Sequence, residues 1–424
     1  MAIKGITVKY CHIVTFFLMF GYLFFFRMAD KFGLPLSSGQ TNLIQMIIVL
    51  RVVGVAFEIN GSWLAVGKAK KSESKEELLS KDGIVKDADF LEIINPTFID
   101  LFHYSFNYIG LLTGPYYRYR TFDDYFRLPF SKYVDCFGFT INTLRMVPLH
   151  ISLYLALSNI WPLEYVLSEE HNNRHFVYRM LYPWALFAAF RQRIYSGMTL
   201  AESVCTSVGF GAYPVKGRNK SGHGPTVGYL SLKEMSDDEA KRTQYDFNTV
   251  ESVDMWGSET VVTLRDSMKV WNKAVQYWVA MVVYKRFPIK PLKIHAAFFV
   301  SVIWHGYHAG YFFCIYFCPF YLMAEDIYYK LYYKDATGTK KKIIGFIMWF
   351  LRSHSKSYQA VAFLLLTFDR IWIYYSSMHH YWYGVWLVFL ILGYILKQVH
   401  KINRLKKDAD SNVGNIREKN EKTQ

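Results

Sequence analysis

Val8–Phe26 reads VKYCHIVTFFLMFGYLFFF, nineteen residues with a single charge, and similar runs recur along the chain. About 17 to 20 apolar residues is the length a helix needs to cross a hydrocarbon core of roughly 30 Å. In lipid every backbone N–H and C=O must be satisfied internally, so runs of this kind fold as helices. Further candidates are Thr41–Phe57, Leu144–Trp161, Phe176–Phe190, Trp271–Tyr284, Ile294–Ile303, Gly306–Ala324, Gln359–Tyr375 and Tyr381–Leu396. A shorter run lies at Phe98–Leu112, and Leu200–Gly211 reads as a buried, partly polar helix. Together they predict an all-α, polytopic transmembrane helical bundle of about ten spans. No small-residue cleavage site follows the first run, so Val8–Phe26 reads as a retained span rather than a signal peptide.

The distribution of charge fits that reading. Only 20% of residues are charged, and much of the net +15 sits in short flanks: Lys68 to Lys71, Lys285-Arg286, Lys340 to Lys342 and the stretch from Lys397. Juxtamembrane Lys and Arg favour the cytoplasmic side and anionic headgroups. A nucleic-acid partner is not implied, because such charge would then line a water-exposed face. Residues 1–396 form the expected membrane domain, with polar loops at about 67–92 and 214–265. Residues 397–424 read as a basic, disordered cytoplasmic tail.

Several motif readings fail on inspection. Gly217–Gly228 (GRNKSGHGPTVG) is glycine-rich but lacks the Gly-Lys-Ser/Thr ending of a phosphate loop, which predicts a flexible loop. Cys11, Cys136, Cys205, Cys314 and Cys318 show neither a disulfide framework nor metal-ligand spacing. No internal repeat is visible, which argues against an inverted-repeat transporter.

Polar side chains inside spans need partners or a function. Arg51 and Glu58 are seven apart, on one helical face, and predict structural partners. Two stretches point to chemistry instead. In Trp271–Trp278 (WNKAVQYW), Asn272 and Gln276 are one helical turn apart. In Ser301–Phe312 (SVIWHGYHAGYF), His305 and His308 flank Gly306-Tyr307. An imidazole can take the proton of an alcohol whose oxygen then attacks a thioester carbonyl. The Asn272 amide could orient that imidazole, bind substrate or stabilise the oxyanion. No Ser or Cys nucleophile with an adjacent base is evident, which favours direct transfer over a covalent acyl-enzyme. Arg118 and Arg120, in Tyr116–Arg120 (YYRYR), suit phosphate recognition and equally suit interfacial anchoring.

WNKAVQYW followed by an apolar helix and SVIWHGYHAGYF resembles the signature region of the membrane-bound O-acyltransferase family. LLTGPYYRYRTFDDYF (111–126), GFGAYP (209–214), YDFNTVESVDMW (245–256) and RDSMKVWN (265–272) are similar to its lysophosphatidylinositol acyltransferase branch. The resemblance implies a catalytic pair, Asn272 and His305, in a tunnel through the membrane domain. Trp304, His308, Gln276, Arg118 and Arg120 are the candidate substrate-binding residues; no metal or prosthetic group is implied. It also implies transfer of a polyunsaturated acyl chain, such as arachidonoyl, from the co-substrate acyl-coenzyme A to the sn-2 hydroxyl of lysophosphatidylinositol, at the endoplasmic reticulum or a related endomembrane. Other lysophospholipids or a protein hydroxyl are alternative acceptors. A transporter or a non-catalytic scaffold would leave the pairing of Asn272 with His305 unexplained.

Overall fold

A computed structural model describes residues 2–35, 37–69 and 93–421. The long helices are α1 (Ala2–Arg27), α2 (Gly39–Ala69), α3 (Phe98–Phe106), α4 (Tyr119–Arg127), α5 (Cys136–Leu144), α6 (Val147–Ile160) and α7 (Phe176–Ser207). The second half follows with α8 (Leu264–Val270), α9 (Lys273–Val279), α10 (Lys293–His305), α11 (Cys318–Tyr328), α12 (Gly338–Leu365), α13 (Phe368–Ser377) and α14 (Tyr381–Glu421). Strand structure among the described residues is confined to a two-residue antiparallel pair, Tyr213-Pro214 with Tyr245-Asp246. The fold is all-α, as the apolar runs require.

Four helical stretches among the described residues are long and apolar enough to cross a membrane: Thr7–Arg27, Gly39–Val66, Cys136–Leu167 and Tyr381–Leu405. The apolar runs predict about ten, and the difference has physical causes. Phe176–Phe190 and Leu200–Gly211 are not separate helices, because α7 runs through the first and into the second, ending at Ser207. Its mid-helix Arg191 is tolerated because Glu259 accepts two hydrogen bonds from it, at 2.7 and 3.1 Å. The run Gln359–Tyr375 is instead broken. Leu366 turns to φ 64° between α12 and α13, and the Gly310 N–H bonds its carbonyl at 2.8 Å. Helix α14 continues from its apolar part into the basic stretch expected to begin a disordered tail. The expected loop at 67–92 lies, from residue 70, outside the described residues.

Where the side chains face decides the layering. α1, α6 and α14 present apolar residues outward (Phe17, Leu18, Leu155, Leu387 and Ile391 are all exposed), a surface suited to lipid rather than water. α2 is the buried helix, with Val49, Leu50 and Val53 at 0 to 1% exposure. One apolar core binds α1, α2, α9 and α10 through Phe20, Leu50, Val53, Trp278 and Trp304. A larger core, rich in tyrosine and tryptophan, joins α7, α11, α12, α13 and α14.

Charge buried in α2 is matched group by group. The Arg51 guanidinium donates to the carbonyls of Tyr104 (3.2 Å), Ser105 (3.3 Å) and Asn107 (2.8 Å), and also to that of Ile109. It thus satisfies carbonyls freed where α3 ends, with its flat face over the Tyr117 ring. Glu58 pairs with Arg118 and accepts the Tyr119 N–H at the start of α4. Both residues therefore have the structural partners their positions predict. Arg51→Leu should strand these carbonyls and cost about 3 kcal/mol or more. The expected reading is a clearly lower melting temperature of the detergent-solubilised protein; an unchanged one would contradict the capping role.

Candidate active site

Asn272 sits at the N-terminal boundary of α9 in the left-handed region, at φ 44° and ψ 54°. Asparagine tolerates that conformation better than other residues with a Cβ. An Asn at this position commonly spends its side chain capping the helix. Here it makes no cap hydrogen bond, and no described residue pairs with its amide.

The polar segment 214–265 holds this backbone in place. The Asp254 N–H bonds the Val270 carbonyl at 2.9 Å, and the Lys273 N–H bonds the Ser252 carbonyl at 2.7 Å. These two bonds bracket Trp271-Asn272. Lys273 also pairs with Glu251, and Glu202 of α7 accepts the Ser252 N–H at 2.5 Å. Gly222 packs so tightly on α9 that an added Cβ would lie 2.9 Å from the Tyr277 ring.

The expected flexible loop is therefore an ordered platform. The Asn219 amide donates to the Tyr213 and Pro214 carbonyls and to Asp246, at 3.0 to 3.3 Å. The Ser221 hydroxyl donates to the Glu251 carbonyl at 2.6 Å. Asp124 of α4 accepts from the Tyr213 and Tyr229 hydroxyls at 2.6 and 2.7 Å, and burial pushes its carboxyl up to about 6. Burial, then the Arg118 charge, pushes His223 down to about 3, so a neutral ring packs edge-on against Tyr277.

His305 is the last residue of α10, half-buried, and no described residue hydrogen-bonds its ring. Its imidazole lies between Tyr311 and Phe363, with ring centroids 5.6 and 5.4 Å away. The chain then turns through Gly306 at φ 145°, where a Cβ would meet the Tyr311 ring at 3.0 Å. Glycine is what this turn permits.

Two supports tie the segments that carry Asn272 and His305 to common elements. The indole N–H of Trp278, on α9, donates to the Leu50 carbonyl at 2.9 Å. That of Trp304, on α10, donates to the Met46 carbonyl at 3.0 Å. Met46 and Leu50 are one turn apart on α2, so both motifs hang on one helix. The second support is a shared wall made by α7 and α12. The Trp271 ring touches Tyr195 of α7 (5.8 Å) and lies 5.7 Å from the Lys356 ammonium of α12. Phe363, which touches His305, is seven residues beyond Lys356 on the same helix and also contacts Phe190 of α7.

The other candidates scatter. Gln276 lies one turn past Asn272, its N–H bonded to the Asn272 carbonyl at 2.9 Å. Trp304 is buried and its polar edge is spent on Met46. His308 stacks on Tyr307 at 4.5 Å. Arg118 and Arg120 are not brought to His305. Arg118 pairs with Glu58, twelve residues along α2 from Met46, about 18 Å of helix axis. Arg120 is held over the Tyr229 ring at 4.8 Å. Lys356 and Phe363 escaped the sequence reading; only an isolated lysine amid largely uncharged sequence signalled the former. No cluster of three metal-ligating side chains forms among the described residues.

Residues 33–368 match the membrane-bound O-acyltransferase family. The chain is 44% identical over 395 residues to the membrane-bound acylglycerophosphatidylinositol O-acyltransferase of Drosophila melanogaster, covering 92% of this chain and 79% of that one. It is 31% identical over 389 residues to the human protein of the same description, covering 91% and 80%. The Caenorhabditis elegans counterpart is 28% identical over 409 residues, covering 94% and 82%. Asn272→Gly should keep the backbone at ease and remove only the amide. Expected are an unchanged melting temperature and an acyl-transfer rate lower by about a hundred- to a thousandfold; a near-native rate would remove the amide from the chemistry.

Proposed function

The chain belongs to the membrane-bound O-acyltransferase family, and on that premise we propose that it acylates lysophosphatidylinositol, with His305 and Asn272 as the catalytic pair. The reading rests above all on one observation. An imidazole and an αL asparagine amide, both uncommitted among the described residues, sit on packed neighbouring helices within a membrane domain.

The reaction follows from these groups. The sn-2 hydroxyl of the acceptor donates to the free imidazole nitrogen of His305. As the oxygen attacks the thioester carbonyl of acyl-coenzyme A, the proton passes to that nitrogen. The Asn272 amide donates to the carbonyl oxygen as it gains charge. The C–O bond forms, the C–S bond breaks, and His305 returns the proton to the departing thiolate. Phosphatidylinositol and free coenzyme A result, with no covalent enzyme intermediate. Gln276 and His308 line the approach, and Trp304 acts by fixing His305. On this reading both substrates reach the pair through a tunnel in the membrane domain. The preferred donor is a polyunsaturated acyl chain such as arachidonoyl, and the enzyme works in an endoplasmic-reticulum or related endomembrane, remodelling phospholipids.

Membranes carrying the protein would be given arachidonoyl-coenzyme A with a panel of lysophospholipids, and products read by mass spectrometry. Phosphatidylinositol should dominate, and His305→Ala at equal abundance should slow its formation by about a hundred- to ten-thousandfold. Equal activity in the variant would end the role of His305. An even spread over headgroups would end the inositol assignment and leave the chemistry standing.

A further inference from the structure

Arg27 closes α1 and is the one charge in its apolar second half. Its Nε and Nη2 are buried and have no hydrogen-bond partner among the described residues. The nearby acid, Asp30, pairs with Lys31 at 3.3 Å. A guanidinium left this way is costly, and such cations in membrane proteins mark a ligand or a substrate path.

Its location says which ligand. α1 packs against α10, and the Phe24 ring, one turn before Arg27, meets Tyr307 of the WHGYH segment edge-on at 6.5 Å. Tyr307 in turn stacks on His308 and lies two residues after His305. The end of α1 that carries Arg27 therefore packs against the segment that carries His305. The mid-helix cations of α12 are engaged: Lys356 donates to the Ser267 hydroxyl at 2.7 Å, and Arg352 to the Ser258 and Glu259 carbonyls at 2.9 and 3.0 Å.

We propose that Arg27 binds the phosphate of the acceptor lysophospholipid and thereby sets the sn-2 hydroxyl against His305. A planar guanidinium offers a phosphate two parallel N–H donors. In a glycerophospholipid the sn-2 hydroxyl and the phosphate ester sit on adjacent carbons, so a base at the one requires a cation close by at the other. Coenzyme A does not fit this place. Its phosphates are separated from the thioester by the whole pantetheine arm, so a donor with its carbonyl at His305 keeps them far from Arg27. Arg27 is thus a positioning residue for the acceptor. The inference rests on the acyl-transfer reading but not on the inositol headgroup, since all lysophospholipids share the phosphate.

The test is steady-state kinetics of the purified full-length protein, using whichever lysophospholipid the unmodified chain acylates best. Arg27→Gln should raise KM for that acceptor about ten- to a hundredfold. KM for arachidonoyl-coenzyme A should stay within about twofold, an interaction that is not made being lost at no cost. Arg27→Lys should recover part of the loss, and 1-monoacylglycerol, which has the hydroxyl but no phosphate, should be used equally by native and Arg27→Gln protein. Arg27→Met, which keeps the apolar stem, serves as a second neutral replacement should Arg27→Gln fail to fold. An unchanged acceptor KM in a folded neutral variant would overturn the proposal. So would a rise confined to acyl-coenzyme A, which would assign Arg27 to the donor's phosphates.

Discussion

Two indole N–H groups bonded to carbonyls one turn apart on α2 fix the helices that carry the proposed catalytic pair. A helix carbonyl already accepts from the N–H four residues on but keeps a second lone pair. In a membrane interior no water competes for it, so an indole that reaches it has little reason to leave. Trp278 thereby fixes α9 and Trp304 fixes α10, each at a defined height on a helix that is itself buried. Arg51 and Glu58 hold α2 in turn, by capping the end of α3 and the start of α4. The placement of His305 and Asn272 depends on this chain of polar contacts more than on the surrounding apolar packing, which is non-directional.

Set against that background, the uncommitted groups are conspicuous. Intramembrane charge is mostly matched: Arg191 by Glu259, Arg51 by carbonyls, Glu58 by Arg118. The Asn272 amide and the His305 ring have no such partners among the described residues, and neither do two nitrogens of Arg27. An unsatisfied polar group inside a membrane domain is a candidate substrate contact. The platform at 214–265 adds a second device. It clamps the backbone on either side of Trp271-Asn272, which lets the asparagine keep a left-handed conformation without using its own side chain to hold it.

Much of this was legible in the chain itself. The apolar runs specify helices because lipid allows little else, and seven-residue spacing put Arg51 and Glu58 on one structural face. Asn272 and His305 stood out because polar residues in apolar surroundings are few, and the resemblance to known blocks paired them. What was not legible depends on distant partners. The Thr367-Phe368-Asp369 start signal is slight within the apolar Gln359–Tyr375, and the break at Leu366 is secured by the Gly310 backbone pressing against α12. The glycine-rich Gly217–Gly228 stretch looks flexible until Asn219 and Ser221 are seen bonding across to residues 213–251. Arg118 and Arg120 have the composition of a phosphate site, yet Glu58 and Tyr229 occupy them about 18 Å along α2 from the Met46 level. In the sequence Arg27 merely follows an apolar run, and its significance lies in what it fails to pair with.

The central claim is that Asn272 and His305 act as one unit on one transition state. Its most direct test is the rate of phosphatidylinositol formation by the double variant Asn272→Gly/His305→Ala, measured beside both single variants at saturating substrate. Groups that serve the same step lose little more when both are gone. The double variant should therefore be no slower than the worse single variant by more than about twofold. Losses that multiply, each independent of the other, would place the two residues in separate roles and contradict the account.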